Sequence, residues 1–152
     1  MSTVSKQQLR DDLTASMKAR DELRSSTLRM VLTAITNEEV AGKEARELSD
    51  EDVTKVLAKE AKKRREAAEA YDDAGRQDLA DRERAELEVL NEYLPAALSD
   101  DELAALVDEA IAESGATSPR EMGAVMKLLQ PKVNGRADGG KVAAAVKSRL
   151  VG

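Results

Sequence analysis

The sequence predicts an all-α protein, and three observations lead to that prediction. The chain of 152 residues is 41% hydrophobic and 36% charged, which is too apolar for disorder and rich in helix formers. Apolar residues recur at helical spacing in seven stretches, and no stretch alternates like a strand. Helix-capping residues flank most of these stretches. Because Tyr71 and Tyr93 are the only aromatic residues, the core is expected to be aliphatic.

Four long helices are expected before Pro95. The first covers about residues 6–20 and the second about residues 22–40. The third begins after Ser49, a capping residue followed by three acids that favour the positive end of the helix dipole, and Gly75 is placed to end it. A fourth helix follows at once. The expected core-facing residues are Leu9, Leu13, Met17, Leu28, Val31, Leu32, Ile35, Val53, Val56, Leu57, Ala61, Ala68, Tyr71, Leu79, Leu87 and Leu90.

Three further helices are expected after Pro95, which is the clearest boundary in the chain. Pro131 is expected to end the second of them, and Asp138 can cap the last. The sequence therefore predicts an N-terminal domain at residues 1–95 and a C-terminal domain at residues 96–152. The pairs with the spacing of a capping box are Ser99 with Glu102 and Ser118 with Glu121. The expected core-facing residues are Leu103, Leu106, Val107, Ala110, Ile111, Met122, Val125, Met126, Leu129, Val142, Val146 and Leu150.

Histidine and cysteine are absent from the chain, which removes the side chains that most often do chemistry at neutral pH. Zinc sites of the Cys/His type are excluded for the same reason. The run Asp72-Asp73-Ala74-Gly75 lacks the alternating ligands of a calcium loop, and the Ser25-Ser26 pair has no partner base in view. We expect no catalytic residue, no metal and no cofactor.

The formal net charge of −6 disfavours attraction of the whole surface to nucleic acid or to anionic membranes. No apolar run approaches the roughly 20 residues of a membrane span. The first ten residues lack the basic-then-apolar pattern of a signal peptide. We expect a cytoplasmic protein with no membrane partner.

Charge is segregated in the C-terminal part. Residues 96–118 contain six acids and no base, whereas residues 119–152 contain seven bases and two acids, a net charge of +5. Two interpretations stay open. The acidic helix can neutralise the two basic helices by pairing with them, or the basic stretch can form a phosphate-binding surface.

A glycine-rich segment precedes the last helix. Gly135, Gly140 and Lys141 match part of the spacing of a nucleotide-binding loop, but Val142 stands where that loop needs Ser or Thr. We reject a nucleotide site. The glycines can instead leave the helix N-terminus open to a nucleic-acid phosphate, with Arg136 and Lys141 beside it.

A second basic run lies in the third helix, and it is interpreted as a solvated face with much of its charge paired within the helix. A binding role for this run is the less favoured alternative. No aromatic residues interleave with it for base stacking. The run consists of Lys59, Lys62, Lys63, Arg64 and Arg65, with Glu60 placed to reach Arg64.

Several short motifs occur in a specific order along nearly the whole chain. They are Leu28-Arg29 with Ile35 and Glu38, Leu48-Ser49-Asp50, Tyr71 with Gly75-Arg76-Gln77-Asp78-Leu79-Ala80, Glu92-Tyr93-Leu94-Pro95, Leu98-Ser99, Met122-Gly123, Val125-Met126-Lys127 and Gly135-Arg136-Ala137-Asp138. Each is weak alone. In this order and spacing the chain resembles the GatB/YqeY family, and specifically its small stand-alone YqeY-like members.

The resemblance implies a helical N-terminal domain and a three-helix C-terminal domain similar to the tail of GatB, a subunit of the tRNA-dependent amidotransferase. In that enzyme the tail contacts tRNA, while ATP-dependent activation and glutamine hydrolysis occur elsewhere. The family therefore carries a label, carbon–nitrogen ligase with glutamine as amido-N-donor, whose chemistry this chain is not expected to perform alone.

The leading hypothesis is an accessory protein that binds tRNA or another structured RNA, with a possible protein partner in tRNA-dependent amidation or translation. The candidate nucleic-acid-binding residues are Lys127, Arg136, Lys141 and Lys147, of which Lys127 and Arg136 match the tail motif best. The alternative is a helical adaptor that docks a partner protein on aliphatic surface. An amidotransferase acting alone is the least favoured reading.

Overall fold

The computed structural model describes residues 4–151, and every regular element in that part of the chain is helical, which confirms the all-α prediction. The chain forms two compact units, Met1–Pro95 and Ala96–Gly152. Independent folding of the two units stays a prediction. The elements are α1 (Lys6–Lys18), α2 (Glu22–Glu39), α3 (Asp50–Asp73), α4 (Gln77–Asn91), α5 (Asp100–Ser114), a 3₁₀ helix (Pro119–Glu121), α6 (Met122–Val133) and α7 (Gly139–Val151).

The first two helices form an antiparallel hairpin. The hydroxyl groups of Ser16 and Ser25 share a buried hydrogen bond of 2.8 Å near the turn, and Lys6 Nζ donates to Glu39 Oε1 at 2.8 Å near the open end. The turn itself uses Arg20, whose φ of 59° lies in the left-handed region. A tight turn of this kind brings two short helices together early in the chain, and their facing apolar residues become core.

The third and fourth helices form the other hairpin of this unit. Ser49 caps α3, since its hydroxyl accepts from Asp52 N at 3.2 Å, and Gly75 makes the turn with a φ of 74°, as expected from the sequence. The core that these helices share with α1 and α2 is aliphatic. Its buried members are Val4, Leu9, Leu28, Val31, Ile35, Leu48, Val53, Leu57, Ala61 and Leu90.

The second unit contains α5, α6 and α7, which all pack against one another. The predicted capping box is confirmed at the start of α5, where Glu102 N donates to Ser99 Oγ at 3.1 Å and Ser99 N donates to Glu102 Oε1 at 3.2 Å. The three helices enclose a separate aliphatic core. Its buried members are Leu103, Val107, Ala110, Ala116, Val125, Leu129, Val133, Val142, Val146 and Leu150.

Two local predictions around α6 are wrong. Ser118 forms no side-chain cap, because a 3₁₀ turn intervenes and the carboxylate of Glu121 instead accepts from Thr117 N at 3.2 Å. Pro131 lies inside α6 rather than ending it. Burial of Val133 and the bond from Asn134 N to Gln130 O, 3.0 Å, hold the last turn although proline removes one donor.

Two burial predictions in the first unit are also wrong. Met17 is 44% exposed although it shares a helix face with Leu9 and Leu13. The side chain of Arg64 is only 13% exposed, so it does not belong to a solvated face. Among the described residues, no helix combines the length and apolarity that crossing a membrane requires.

Candidate nucleic-acid interface

Acids of α5 neutralise part of the basic stretch on α6 and α7. Three ion pairs cross between these helices, and each uses one base from the basic stretch. They are Lys132 Nζ with Glu109 Oε1 at 3.4 Å, Lys141 Nζ with Asp100 Oδ1 at 2.5 Å, and Arg149 Nη1 with Asp108 Oδ1 at 3.2 Å. The neutralising interpretation is therefore confirmed for these three bases.

Lys141, a predicted phosphate contact in the first turn of α7, forms one of these ion pairs. Asp100 is the first residue of α5, and the hydrogen bond from Lys141 holds the pKa of its carboxyl below the usual range. Both side chains are more than half exposed, at 55% for Lys141 and 83% for Asp100. Water screens a pair in this position, so another anion can compete with Asp100 for the lysine.

Arg136, the second predicted contact, has a structural role. Its main-chain oxygen accepts from Leu98 N at 2.9 Å, and its Nε donates to Ala96 O at 3.0 Å. Its own amide donates to Val133 O at 2.8 Å. Arg136 thus ties the segment that follows Pro95 to the turn between α6 and α7.

Lys127 and Lys147 have a different environment from the other two candidates. Both are exposed, and neither forms an ion pair with any described residue. Lys127 shares its face of α6 with Gly123 and Ala124, and Lys147 lies one turn beyond Ala144 on α7. The helix turn that precedes each lysine therefore carries small side chains on the same face.

The glycines at the start of α7 leave space beside the backbone. A Cβ added at Gly139 would meet no atom within 4 Å, and one at Gly140 would meet only Asp138 Oδ2, at 3.5 Å. The first amides of a helix lack partners within it and favour anions. Asp138 directly precedes this helix, and its main-chain oxygen accepts from Val142 N at 3.0 Å.

One further cation was missed by the sequence prediction. Arg120 lies in the 3₁₀ helix, is exposed and pairs with no acid in the described part of the chain. That short helix packs against both α6 and α7. The sequence could have indicated this residue, because Arg120 is the first base of the basic stretch. It was expected in the first turn of an α-helix, whereas it lies in a 3₁₀ helix.

In the first unit, some cations of the basic run of α3 form ion pairs with carboxylates of α3 and α4. Arg64 lies between three carboxylates, those of Glu86 at 3.1 Å, Glu83 at 3.6 Å and Glu60 at 3.7 Å, and the Glu60 pair was expected. Lys63 also pairs with Glu60, at 3.1 Å. This network joins α3 to α4 and leaves Lys59 as an exposed cation of the run without an ion pair to a described residue.

The motif Glu92-Tyr93-Leu94-Pro95 has a structural explanation. Tyr93 Oη donates to Asp12 Oδ2 at 2.6 Å, and Glu92 pairs with Arg24. Burial, together with the bond to Asp12, raises the pKa of the Tyr93 hydroxyl. These contacts fasten the end of α4 to the α1–α2 hairpin.

No cluster of Asp or Glu within residues 4–151 is arranged to hold a metal ion. The four residues predicted to bind nucleic acid fall into two groups. Lys127 and Lys147 are open cations, whereas Arg136 and Lys141 have partners within the second unit. What this arrangement offers chemically is attraction for phosphate.

Comparisons with known proteins agree with the sequence motifs. An uncharacterized protein of Schizosaccharomyces pombe is 39% identical over 88 residues, 57% of this chain and 69% of that protein. Proteins named "Altered inheritance of mitochondria protein 41, mitochondrial" are similar at 34% over 88 residues in Lachancea thermotolerans and at 30% over 111 residues in Eremothecium gossypii. These alignments cover 57% and 72% of this chain but only 46% and 60% of the two relatives. A family model described as Yqey-like protein matches residues 6–150, and the chain therefore belongs to the YqeY-like family.

Proposed function

We propose that the second unit binds tRNA or another structured RNA, as an accessory protein without catalytic chemistry of its own. The observation that carries the proposal is the pair of open lysines. In a chain of net charge −6, the acids of α5 pair with three bases of this unit, yet Lys127 and Lys147 stay unpaired among the described residues. Cations left free on an acidic protein suit an anionic partner.

The family supports RNA as that partner. The chain belongs to the YqeY-like family, its C-terminal domain resembles the tail of GatB, which contacts tRNA, and Lys127 belongs to a matching motif. Lys147 and the missed Arg120 extend the set to α7 and to the 3₁₀ helix. Phosphate contacts of this kind position an RNA backbone without reading its sequence, so the proposed specificity is for shape.

Lys141 and Arg136 have secondary roles in this proposal. Lys141 exchanges its exposed partner Asp100 for a phosphate when RNA arrives, next to the uncrowded glycines that begin α7. Arg136 acts mainly by holding the segment at Ala96 and Leu98 in place. Its replacement would therefore combine a structural effect with a charge effect.

The test is tRNA affinity of the full chain at several salt concentrations. K127A/K147A should bind more weakly, and the slope of log affinity against log salt should fall by roughly one to two units, since each lost phosphate contact removes about one. K59A is the single-site control, because Lys59 is also an exposed lysine without an ion pair to a described residue, and its slope is compared per charge removed. Circular dichroism establishes that each variant is folded.

Two outcomes would overturn the proposal. One is wild-type binding that cannot be detected even at low salt. The other is loss of binding in K59A while K127A/K147A keeps the wild-type slope. A second charge set, K127E/K147E, should abolish binding at salt concentrations where the alanine variant still binds weakly.

The absence of independent catalysis is part of the proposal. The chain has no histidine and no cysteine to serve glutamine hydrolysis, so the purified protein should release no ammonia from glutamine. Ammonia release that a point mutation in this chain removes would contradict it. We also place the protein in the cytoplasm, although several fungal relatives are named as mitochondrial, and cell fractionation tests that placement.

A further inference from the structure

A shallow groove lies in the first unit, whereas the proposed RNA-binding lysines belong to the second unit. It runs between α1 and α2 and has a volume of about 370 Å³. Leu13 and Leu32, both partly buried, form its apolar floor. The remaining lining residues are Arg29, Thr33, Thr36 and Asn37.

Arg29 lines one end of this groove, and the helical spacing of α1 places Arg10 toward the other end. At one end, Arg29 Nη2 contacts the sulfur of Met17 at 3.1 Å. Arg10 lies one turn before Leu13 on α1, and because the hairpin is antiparallel this direction leads toward Thr36. The pKa of Glu39, near the C-terminus of α2, is lowered mainly by the hydrogen bond from Lys6. The charge of Arg10 lowers this pKa by a smaller amount, which agrees with a position of Arg10 toward that end of α2.

Neither arginine has a carboxylate partner among residues 4–151. A methionine sulfur is a weak acceptor, so the contact with Met17 leaves the Arg29 guanidinium with unused hydrogen-bonding capacity. The chain carries 30 acidic residues, and none of the described ones pairs with Arg10 or Arg29. The groove is therefore electrostatically complementary to carboxylates that come from another molecule.

We propose that this groove receives an amphipathic helix of a partner protein, which places aliphatic side chains on Leu13 and Leu32 and carboxylates against Arg10 and Arg29. The length fits such a helix, because residues 29 to 37 of α2 span about 12 Å, or roughly two turns, at about 1.5 Å per residue. The partner's acids should thus lie about seven residues apart, with aliphatic residues between them. This proposal assigns the alternative function, that of an adaptor for a partner protein, to the groove between α1 and α2. It does not depend on RNA binding by the second unit.

The chemistry of the groove favours a protein helix over RNA. No aromatic side chain lines it, so bases have no stacking platform, and its floor is aliphatic. Met17 at its edge is 44% exposed, and an unbranched thioether adapts its shape to the side chains of a docking helix. Thr33 and Thr36 add polar side chains to the lining, and the Thr36 hydroxyl, which donates to Leu32 O at 3.0 Å, can still accept a hydrogen bond.

The probe is a designed peptide of about 18 residues with an alanine-rich helical background, central leucines and two glutamates seven residues apart. Two matched peptides replace the glutamates by lysine or the leucines by alanine. Methyl NMR of the full chain, titrated with each peptide, should show shifts at Leu13 and Leu32 with the glutamate peptide and only small shifts with the others.

Charge exchange makes the test specific. R10E/R29E should weaken binding of the glutamate peptide at least tenfold and should bind the lysine peptide better than the wild type does. K59E, on α3, changes a similarly exposed charge outside the groove and should leave both affinities unchanged. If R10E/R29E loses helicity, R10Q/R29Q replaces it in the test. This variant should bind the glutamate peptide more weakly than the wild type does, and its affinity for the lysine peptide should not increase.

The proposal is overturned if the glutamate peptide causes no shifts at Leu13 and Leu32, or if the glutamate and lysine peptides bind equally. Equal weakening by K59E and R10E/R29E would overturn it as well. The tRNA affinity of R10E/R29E should match that of the wild type. If R10E/R29E lost tRNA affinity and the wild type bound no peptide, the groove would be assigned to RNA instead. If K127A/K147A had unchanged tRNA affinity, the proposed function would fail, but the proposal for the groove would stand.

Discussion

Lys141 forms an ion pair with Asp100 at 2.5 Å, which joins the first turn of α7 to the first residue of α5. The two residues are 41 positions apart in the sequence, so neither their contact nor its effect on phosphate binding is visible in local patterns. The pair gives the acidic helix a direct influence on the proposed RNA site.

Asp100→Asn should therefore increase tRNA affinity. Without its carboxylate partner, Lys141 becomes available to phosphate, and we expect a gain of about twofold to fivefold at low salt, the scale of one exposed charge contact. Asp101→Asn is a matched control, because it removes the same charge one position later, where no ion pair with a described residue exists. Equal gains in the two variants would show that net charge, rather than release of Lys141, is responsible.

Arg136→Ala should loosen the segment that follows Pro95. The guanidinium of Arg136 donates to Ala96 O at 3.0 Å, so its loss removes one of the bonds that hold this segment. Limited proteolysis should then cleave between Leu94 and Asp100 several times faster than in the wild type. Arg120→Ala removes an exposed arginine without that bond and should be cleaved at the wild-type rate. A first cut inside α3 would contradict the boundary at Pro95.

Leu129→Ala tests whether the second unit folds by itself. Leu129 is fully buried in the core of that unit, and truncation should lower the free energy of unfolding there by about 2–5 kcal/mol. Hydrogen exchange should show faster opening in α5, α6 and α7 only. Leu57→Ala, in the other core, should give the reverse pattern. Faster exchange throughout the chain in both variants would contradict two independent domains.

Glu39→Gln should reduce stability in a way that depends on pH. The carboxylate of Glu39 accepts from Lys6 Nζ and from Leu48 N, and the bond from Lys6 is the main cause of its lowered pKa. A carboxyl group whose pKa is lowered by folding stabilises the folded protein at pH values above its unfolded pKa, which is near 4.5. This contribution to stability disappears as the pH falls through the lower pKa of the folded state.

Urea unfolding at several pH values checks this expectation. The variant should be less stable than the wild type at pH 7, and the difference should shrink below about pH 4.5. Glu38→Gln changes an adjacent exposed carboxylate and should have little effect at any pH. A difference between wild type and Glu39→Gln that stays constant down to pH 3 would assign the effect to packing instead of charge.

Local interactions explain why most of the helices were predictable. Ser49 and Ser99 each bond an amide three residues ahead, and Gly75 makes a turn with positive φ, so these signals act within a few positions of the chain. The aliphatic stripes at Leu28 and Val146 follow from helical period alone. Such features survive in any tertiary arrangement of the helices.

Other features depended on what each residue packs against. Pro131 stays helical because Val133 is buried in the core, and Met17 stays 44% exposed although Arg29 of α2 contacts its sulfur. Arg64 is held between carboxylates from two helices, so a cation expected in water became part of the interior. Tertiary burial outweighs local preference where the two conflict.

The composition, the helical period and the order of short motifs determined by themselves the all-α class, the approximate helices and the family. Which cations stay open was decided only by the tertiary structure, because Lys141 and Lys132 find acids on α5, whereas Lys127 and Lys147 find none among the described residues. Charge pairing requires groups to lie a few ångströms apart, and that distance is set by how helices far apart in sequence pack together.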